Sequence, residues 1–335
     1  MSSPPATAHA RTAAASAREL LGVGALTNAS LTTWLHGLPG VDHVGADARA
    51  AGLGTRSIKT TSKAWAIDMA ISMIDLTTLE GADTEGKVRS LCAKAMTPDP
   101  GDPATPRVAA VCVYNDMVAV AVDALKGSHI HVAAVTTAFP SGRATMAVKL
   151  TDTRDALRAG ANEIDMVIDR GAFLSGRYLQ VFNEIAAIKD ACTRDAPDGA
   201  PAHLKVILET GELVTYDNVR RASWLAMLAG ANFIKTSTGK VSPASTAPVA
   251  MIMLEAVRDW RDLTGTQIGV KAAGGIRTTK DAMKYLVMVN EIAGDDWIDP
   301  AWFRFGASGL LNDLLLQRQK LASGHYSGAD YVTID

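Results

Sequence analysis

The sequence predicts an α/β fold, a (β/α)8 TIM barrel with an N-terminal extension. Three observations predict it. Eight short apolar runs recur from about Lys63 onward, each separated from the next by a segment long enough for a crossover helix. Several of those segments carry helix caps and an apolar period of about 3.6 residues. Glycine-rich turns follow the sixth, seventh and eighth runs. Strands alternating with helices imply a parallel sheet, and eight such units imply closure into a barrel. A doubly wound open sheet is the competing architecture, but no Gly-x-Gly-x-x-Gly turn follows the first run. The 335 residues divide accordingly into an extension over 1–60, a barrel over 61–322 and a tail over 323–335.

The extension differs in texture from the rest. Met1 to Arg18 is mostly Ala, Ser, Thr and Pro, with no acid before Glu19. That composition overlaps with mitochondrial transit peptides. Pro4-Pro5 and the lack of an amphipathic stripe favour a disordered tail instead. Gly37 to Gly54 reads as loop, with a short helix or two wrapping the main domain.

The eight runs are Met73–Leu76, Val108–Val113, His131–Val135, Glu163–Ile168, Leu204–Leu208, Asn232–Ile234, Gln267–Val270 and Phe303–Phe305. Between the first two, Val88, Leu91, Cys92 and Ala95 fall at helical spacing behind an Asp83/Thr84 cap. Thr215 opens a helix over Tyr216–Ala229, and Gly230 closes it. Ser308–Ala322 carries Leu311, Leu314 and Leu315 on one face.

Composition sets limits on partners. Hydrophobic content of 48% with 5% aromatic means an aliphatic core, and a net charge of −2 argues against nucleic acid or an anionic membrane as partner. No apolar run is long enough to span a bilayer. Cys92, Cys112 and Cys192 are odd in number and far apart. They read as reduced thiols, and the chain as cytoplasmic.

The chemistry centres on the end of the sixth run. Lys235 closes a short buried strand and is followed by Thr236-Ser237-Thr238-Gly239-Lys240. Burying an ammonium is costly, so the amine's pKa falls. A neutral amine is what attack on a carbonyl requires. The bland reading is a lysine that snorkels at a strand mouth. Asp75, Asp165 and Lys271 also stand in or just after apolar runs, and charges are almost never buried unpaired. An ion-pair network capping the barrel would explain any one pair, but two lysines that approach each other need another reason. A second ammonium lowers the pKa of the first, and a fall from about 10.4 to near 7 corresponds to roughly 4–5 kcal/mol. Lys235 then reads as nucleophile, Lys271 as its electrostatic tuner and Asp165 as proton carrier. A salt bridge from Asp165 to Lys271 is compatible with this.

The turns after the last three runs read as an anion cup. Gly239 and Lys240, Gly274 and Gly275, and Gly306 with Ser308 stand where barrel enzymes present backbone N–H groups to phosphate, with Arg277 adding charge.

Several segments closely resemble the deoxyribose-phosphate aldolases, a family of class I aldolases. They are Asp75-Leu76-Thr77-Thr78-Leu79, Ala110 to Tyr114, Phe139-Pro140-Ser141-Gly142, Glu163 to Val167, Leu208 to Leu213, Phe233 to Lys240 and Lys271 to Arg277. The resemblance runs from about Ser72 to Leu316. It implies a barrel that reversibly cleaves 2-deoxy-D-ribose 5-phosphate into acetaldehyde and D-glyceraldehyde 3-phosphate, a lyase of deoxyribose phosphate catabolism. It further implies a Schiff base on Lys235, proton handling by Lys271 and Asp165, and substrate contacts from Asp75, Thr238, Gly239, Lys240, Gly274, Gly275, Arg277, Gly306 and Ser308. Neither metal nor cofactor is expected, and self-pairing into a homodimer through outer helices is. Two positions depart from the family pattern. Ala272 replaces the usual proline, which should soften the loop after Lys271, and Gly309 replaces a second hydroxyl residue. A tyrosine from the tail often reaches the site in this family, and Tyr326 and Tyr331 are the candidates.

Three other readings stand beside this one. Another Schiff-base aldolase or transaldolase would keep the chemistry and change the sugar. A metal-dependent aldolase is disfavoured because the histidines do not cluster apart from His129-x-His131, which more simply begins a strand. A non-catalytic phosphosugar-binding barrel would need cations at the phosphate and not at a carbonyl.

Overall fold

A computed structural model describes residues 13–59, 61–196, 199–325 and 328. Four helices lead in: α1 (Ala13–Leu21), α2 (Asn28–His36), α3 (His43–Gly54) and α4 (Thr61–Ser72). The strands are β1 (Ile74–Thr77), β2 (Ala110–Tyr114), β3 (His131–Thr136), β4 (Glu163–Val167), β5 (His203–Ile207), β6 (Phe233–Lys235), β7 (Gly269–Ala273) and β8 (Phe303–Ala307). Between and after them run α5 (Glu85–Met96), α6 (Val118–Ala124), α7 (Met146–Arg158), α8 (Arg170–Leu174), α9 (Tyr178–Arg194), α10 (Tyr216–Leu228), α11 (Ala247–Thr264), α12 (Thr279–Ile292) and α13 (Gly309–Ser323). The strands pair in chain order, all parallel, and β8 closes onto β1. The predicted barrel is therefore present with all eight strands.

Strand boundaries explain where the sequence reading falls short. The seventh apolar run ends at Val270, but β7 continues to Ala273, and β6 includes Lys235. An apolar-run reading stops at the first charge, whereas a charge that points into a barrel does not end a strand. Lys271 and Ala272 thus lie within β7, both fully buried, and Ala272 is not a loop residue. The helix caps are better marked. Thr84 and Thr215 accept hydrogen bonds from the backbone N–H groups of Lys87 and Asn218 and start α5 and α10.

Gly37 to Gly54, read as loop with a short helix or two wrapping the main domain, holds the 12-residue α3. Asp42 caps it, accepting from the Gly45 N–H at 3.0 Å. Only Ala46 and Ala50 are buried along it, and so small an apolar stripe leaves almost no periodic signal. The expected tail lies outside the described residues as far as residue 12; from Ala13 onward the chain is helical.

The leading helices form a belt over one flank of the barrel. α2 packs on α9 and α10, and α3 on α11 and α12. Trp34 meets Trp224 edge-on at 5.6 Å, and Trp224 meets Trp260 at 5.7 Å. His36 Nε2 lies 3.1 Å from the Tyr178 hydroxyl, and the Val41 N–H donates to Asp217 Oδ1 at 2.7 Å. Among the described residues, no helix is long and apolar enough to cross a membrane. Cys92, Cys112 and Cys192 are free and buried.

Candidate active site

Aliphatic side chains fill the space between strands and helices, but the barrel interior is charged. Side chains alternate along a strand, so residues two apart share a face. Glu163 and Asp165 on β4, Lys205 on β5, Lys235 on β6, Lys271 on β7, Arg304 on β8 and Asp75 on β1 all meet inside. Register places the two lysines side by side, Lys235 opposite Lys271. Small residues line the opposite wall, where Cys112, Ala133 and Val135 form an apolar patch beneath Tyr114 and Phe139.

The ion pairs form one connected network. Asp165 Oδ2 accepts from Lys235 Nζ at 2.7 Å and from Lys271 Nζ at 2.8 Å. Asp165 Oδ1 faces Lys205 Nζ at 3.3 Å. Asp75 Oδ2 lies 2.6 Å from Lys271 Nζ and 3.4 Å from Lys205 Nζ, while its Oδ1 takes Arg304 Nη1 at 2.6 Å. Glu163 pairs with Lys205, with Arg304 at 3.2 Å and with His131 Nδ1 at 2.7 Å. The Phe233 ring underlies this layer, 5.9 Å from Lys205 Nζ and 5.8 Å from the Arg304 guanidinium. That ring fits because position 269 is glycine: a Cβ there would lie 2.3 Å from it.

Partner counts account for the protonation states. Desolvation costs each buried ammonium several kcal/mol, and each carboxylate neighbour repays part of it. Lys205 has three carboxylate neighbours and Lys271 two, so although burial alone would lower both, their pKa values are raised. Lys235 has one, and it shares that one with Lys271. Burial therefore wins at Lys235 and its pKa is lowered, with Asp165 opposing and Lys271 adding to the fall. Burial would raise Asp165 and Asp75, but Lys205 and the neighbouring cations hold both well below the usual carboxylate range. Desolvation is thus the larger cause at Lys235, and the neighbouring lysine adds to it.

Access separates the members further. The Lys235 side chain keeps 3% of its surface exposed, whereas Lys271, Asp165, Asp75 and Lys205 keep none. Asp75, expected to touch substrate, is enclosed beneath Lys271 with both oxygens engaged by cations. Charges expected at the strand ends thus lie deeper, except Lys235, which ends β6.

The hydroxyl residues after Lys235 join strands. Thr236 Oγ1 accepts from the Ala273 N–H at 3.0 Å, and Ser237 Oγ donates to the Ala273 carbonyl at 3.1 Å. Thr238, expected at the substrate, donates its hydroxyl and its N–H to Glu209. Glu209 is fully buried in the left-handed region at φ +52°. It serves as an anchor for the loop after β6.

The glycine turns converge at one rim. Gly239, Gly274 and Gly275 have φ of +80°, +79° and +82°. A Cβ on Gly274 would lie 2.6 Å from Ala244 Cβ and 3.2 Å from Gly239 Cα, so the turns after β6 and β7 touch. The Gly274 N–H donates to the Gly306 carbonyl at 3.4 Å. Gly306 also leaves room for the lysine beside it, since a Cβ there would press on Lys271 Cε at 3.0 Å. Ser308 stands at the start of α13, makes no side-chain hydrogen bond to its first turn and is exposed, and open space surrounds Gly309. Lys240 reaches from the turn to Glu80, 2.8 Å away. Arg277 is exposed beyond the buried Ile276 and is not drawn into the cluster. Tyr326 and Tyr331 lie outside the described residues.

Sequence reasoning missed Lys205, Glu163, Arg304 and Glu209. The first three carry the signal that singled out Asp165, a lone charge inside an apolar run. His131 begins β3 as expected and spends its ring on Glu163.

Comparison with known proteins places this geometry. The profile of the DeoC/LacD family aldolases matches residues 69–315. The chain is similar to deoxyribose-phosphate aldolase of Homo sapiens, 42% identical over 300 residues that span 86% of this chain and 92% of the human protein. Its similarity to the Mus musculus protein of that name is 43% over 282 residues, 81% of this chain and 86% of the mouse protein. A crystal structure from Coccidioides immitis, described as a candidate deoxyribose-phosphate aldolase, superposes with a TM-score of 0.61 at 30% identity. It covers 82% of this chain and 99% of its own.

Proposed function

The chain belongs to the DeoC/LacD family of aldolases, and from that premise we propose that it reversibly cleaves 2-deoxy-D-ribose 5-phosphate to D-glyceraldehyde 3-phosphate and acetaldehyde through a Schiff base on Lys235. The observation that carries the proposal is the pair of lysines on one Asp165 oxygen. Of those two, only the lysine with depressed basicity has contact with solvent.

The neutral Lys235 amine attacks the C1 carbonyl of the open-chain sugar, and the carbinolamine loses water to leave a protonated imine. The cationic imine then withdraws electrons as the C2–C3 bond breaks. The C3 hydroxyl proton passes to a base, and glyceraldehyde 3-phosphate departs. The remaining enamine takes a proton at C2, and hydrolysis of the two-carbon imine releases acetaldehyde and restores the amine. Asp165, held by cations from three strands, and Lys271, 2.8 Å from it, are positioned to carry protons through water in these steps. At rest Lys271 is held charged, and it favours the alkoxide that develops at C3.

The phosphate falls to the rim formed by Gly239, Gly274, Gly275, Gly306 and the Ser308 end of α13, with Lys240 following Gly239 in the same turn. Activity should not respond to chelators, because each interior carboxylate is already taken by lysine or arginine. A cytoplasmic site of action fits three unpaired thiols. Borohydride reduction in the presence of acetaldehyde, followed by peptide mass mapping, tests the reading. A two-carbon adduct on Lys235 is expected, and labelling elsewhere or nowhere would overturn it. Assay against fructose phosphates then separates this substrate from those of other Schiff-base aldolases.

A further inference from the structure

The proposed chemistry uses the top of the charged network and gives Lys205, Glu163 and Arg304 no role. Burying three more ions with no gain in activity would be an expensive way to fill a barrel, where aliphatic residues pack more stably. Counting charges shows what they accomplish. The network holds three carboxylates, Asp75, Glu163 and Asp165, against four cations, Lys205, Lys235, Lys271 and Arg304. With every group ionised it carries one surplus positive charge. It balances when one amine is neutral, and the amine with fewest carboxylate neighbours is Lys235.

We propose that Lys205 is a positioning residue, which keeps Lys235 an uncharged nucleophile by acting through Asp165 on the charge balance of the barrel interior. The geometry supports this in two ways. Lys205 Nζ faces Asp165 Oδ1 at 3.3 Å and leaves Oδ2 to the two lysines above. It also neutralises Glu163, and in part Asp75 at 3.4 Å, which would otherwise draw a proton to Lys235. Removing Lys205 leaves three carboxylates facing Lys271 and Arg304, and the interior then balances with one further proton, on Lys235 or on the His131 ring beside Glu163.

The groups around this path are few. Asp75 faces it from β1, Cys112 from β2, His131 from β3, Glu163 and Asp165 from β4, His203 from β5, Lys271 from β7 and Arg304 from β8. His131, its side chain 40% exposed, and the exposed His203 are the two with a broad route to solvent.

The inference rests on Lys235 being the amine that forms the imine, and the experiment separates the two. The profile of kcat/KM against pH is measured for the wild type and for Lys205→Met, Lys205→Arg, Glu163→Gln and the Lys205→Met/Glu163→Gln pair. Borohydride trapping and circular dichroism are recorded alongside. The acid limb reports the nucleophile's protonation in the free enzyme. In Lys205→Met it should move up by about one pH unit or more, so that trapping near neutral pH falls about tenfold and recovers in alkali. Glu163→Gln should move the limb down, the pair should return it toward wild type, and Lys205→Arg should keep it in place. A merely structural Lys205 would lower kcat or stability and leave the limb where it was, and that result overturns the inference. If Lys205→Met does not fold, the direction of the Glu163→Gln shift decides alone. Absence of a trapped adduct in the wild type would sink the Schiff-base reading itself.

Discussion

Lys235 and Lys271 donate to the same oxygen, Asp165 Oδ2, at 2.7 and 2.8 Å. Two ammonium groups on one acceptor are rivals for one countercharge. At an effective dielectric of about 20, each contact of this length is worth about 6 kcal/mol, similar to the desolvation of one ion. Lys271 recovers that cost twice because it also holds Asp75. Lys235 recovers it once and then loses part to repulsion. The asymmetry lowers the basicity of one lysine and raises that of the other.

Lys235→Leu should abolish turnover, by about 10⁴-fold or more, because no other group can form the imine. The fold should persist, since the variant leaves three carboxylates against three cations. Steady-state assay and circular dichroism check the two halves. Lys271→Leu should come close in activity, but it also leaves Asp75 short of a partner and so loses stability.

Asp165→Leu takes one countercharge each from Lys205 and Lys271 and the sole one from Lys235. Loss of the proton carrier should cost about 10²–10⁴-fold in kcat. Unpaired buried charge should cost about 3–5 kcal/mol in urea unfolding. A variant with wild-type stability would show that Asp75 and Glu163 suffice as countercharges for Lys205 and Lys271.

Stability should depend on pH in a way that isolates Lys235. The folded-state values of Asp75, Glu163 and Asp165 are depressed. Their contribution is complete above the ordinary carboxylate range of about 4 and is lost as pH falls below it. Lys205 and Lys271 are raised, so theirs is complete below about 10.4 and is lost at higher pH. Lys235 is lowered, and between its folded value and about 10.4 the unfolded chain binds a proton that the folded chain does not. Stability therefore rises with pH through that window. The wild-type melting midpoint minus that of Lys235→Leu, measured by scanning fluorimetry, should climb across neutral and mildly alkaline pH.

Gly274→Ala probes the rim. The new Cβ meets Ala244 Cβ at 2.6 Å in a backbone at φ +79°, so the turn after β7 must move away from the turn after β6. KM for the phosphorylated sugar should rise about tenfold or more, while the rate with unphosphorylated deoxyribose, assayed in parallel, changes little. Equal losses with both substrates would place the phosphate elsewhere.

Much of the fold and the site is legible in the residues alone, for a physical reason. Strands buried on both faces are written as continuous apolar runs, so all eight are visible, and Thr84 and Thr215 mark their helices by cap chemistry. Lys235, Lys271 and Asp165 stand out because charge is costly at such positions, and the structure brings all three together. Lys205 and Arg304 break apolar runs in the same way, but whether a lone charge ends a strand or points inward depends on closure and stagger. Those are properties of eight strands together. Glu209 is illegible because its backbone conformation is imposed by the loop it anchors. The bounds of α3 stay hidden because alanines at a packed face carry little hydrophobic contrast.

The belt of leading helices has a further bearing on assembly. With α2 laid over α9 and α10, and α3 over α11 and α12, that side of the barrel is already wrapped by the chain itself. A twin subunit would find it occupied. Large apolar side chains stand uncovered on α4, α7, α8 and α13, at Trp65, Val148, Leu174 and Leu321, and a charged residue at any of them probes whether two barrels meet there.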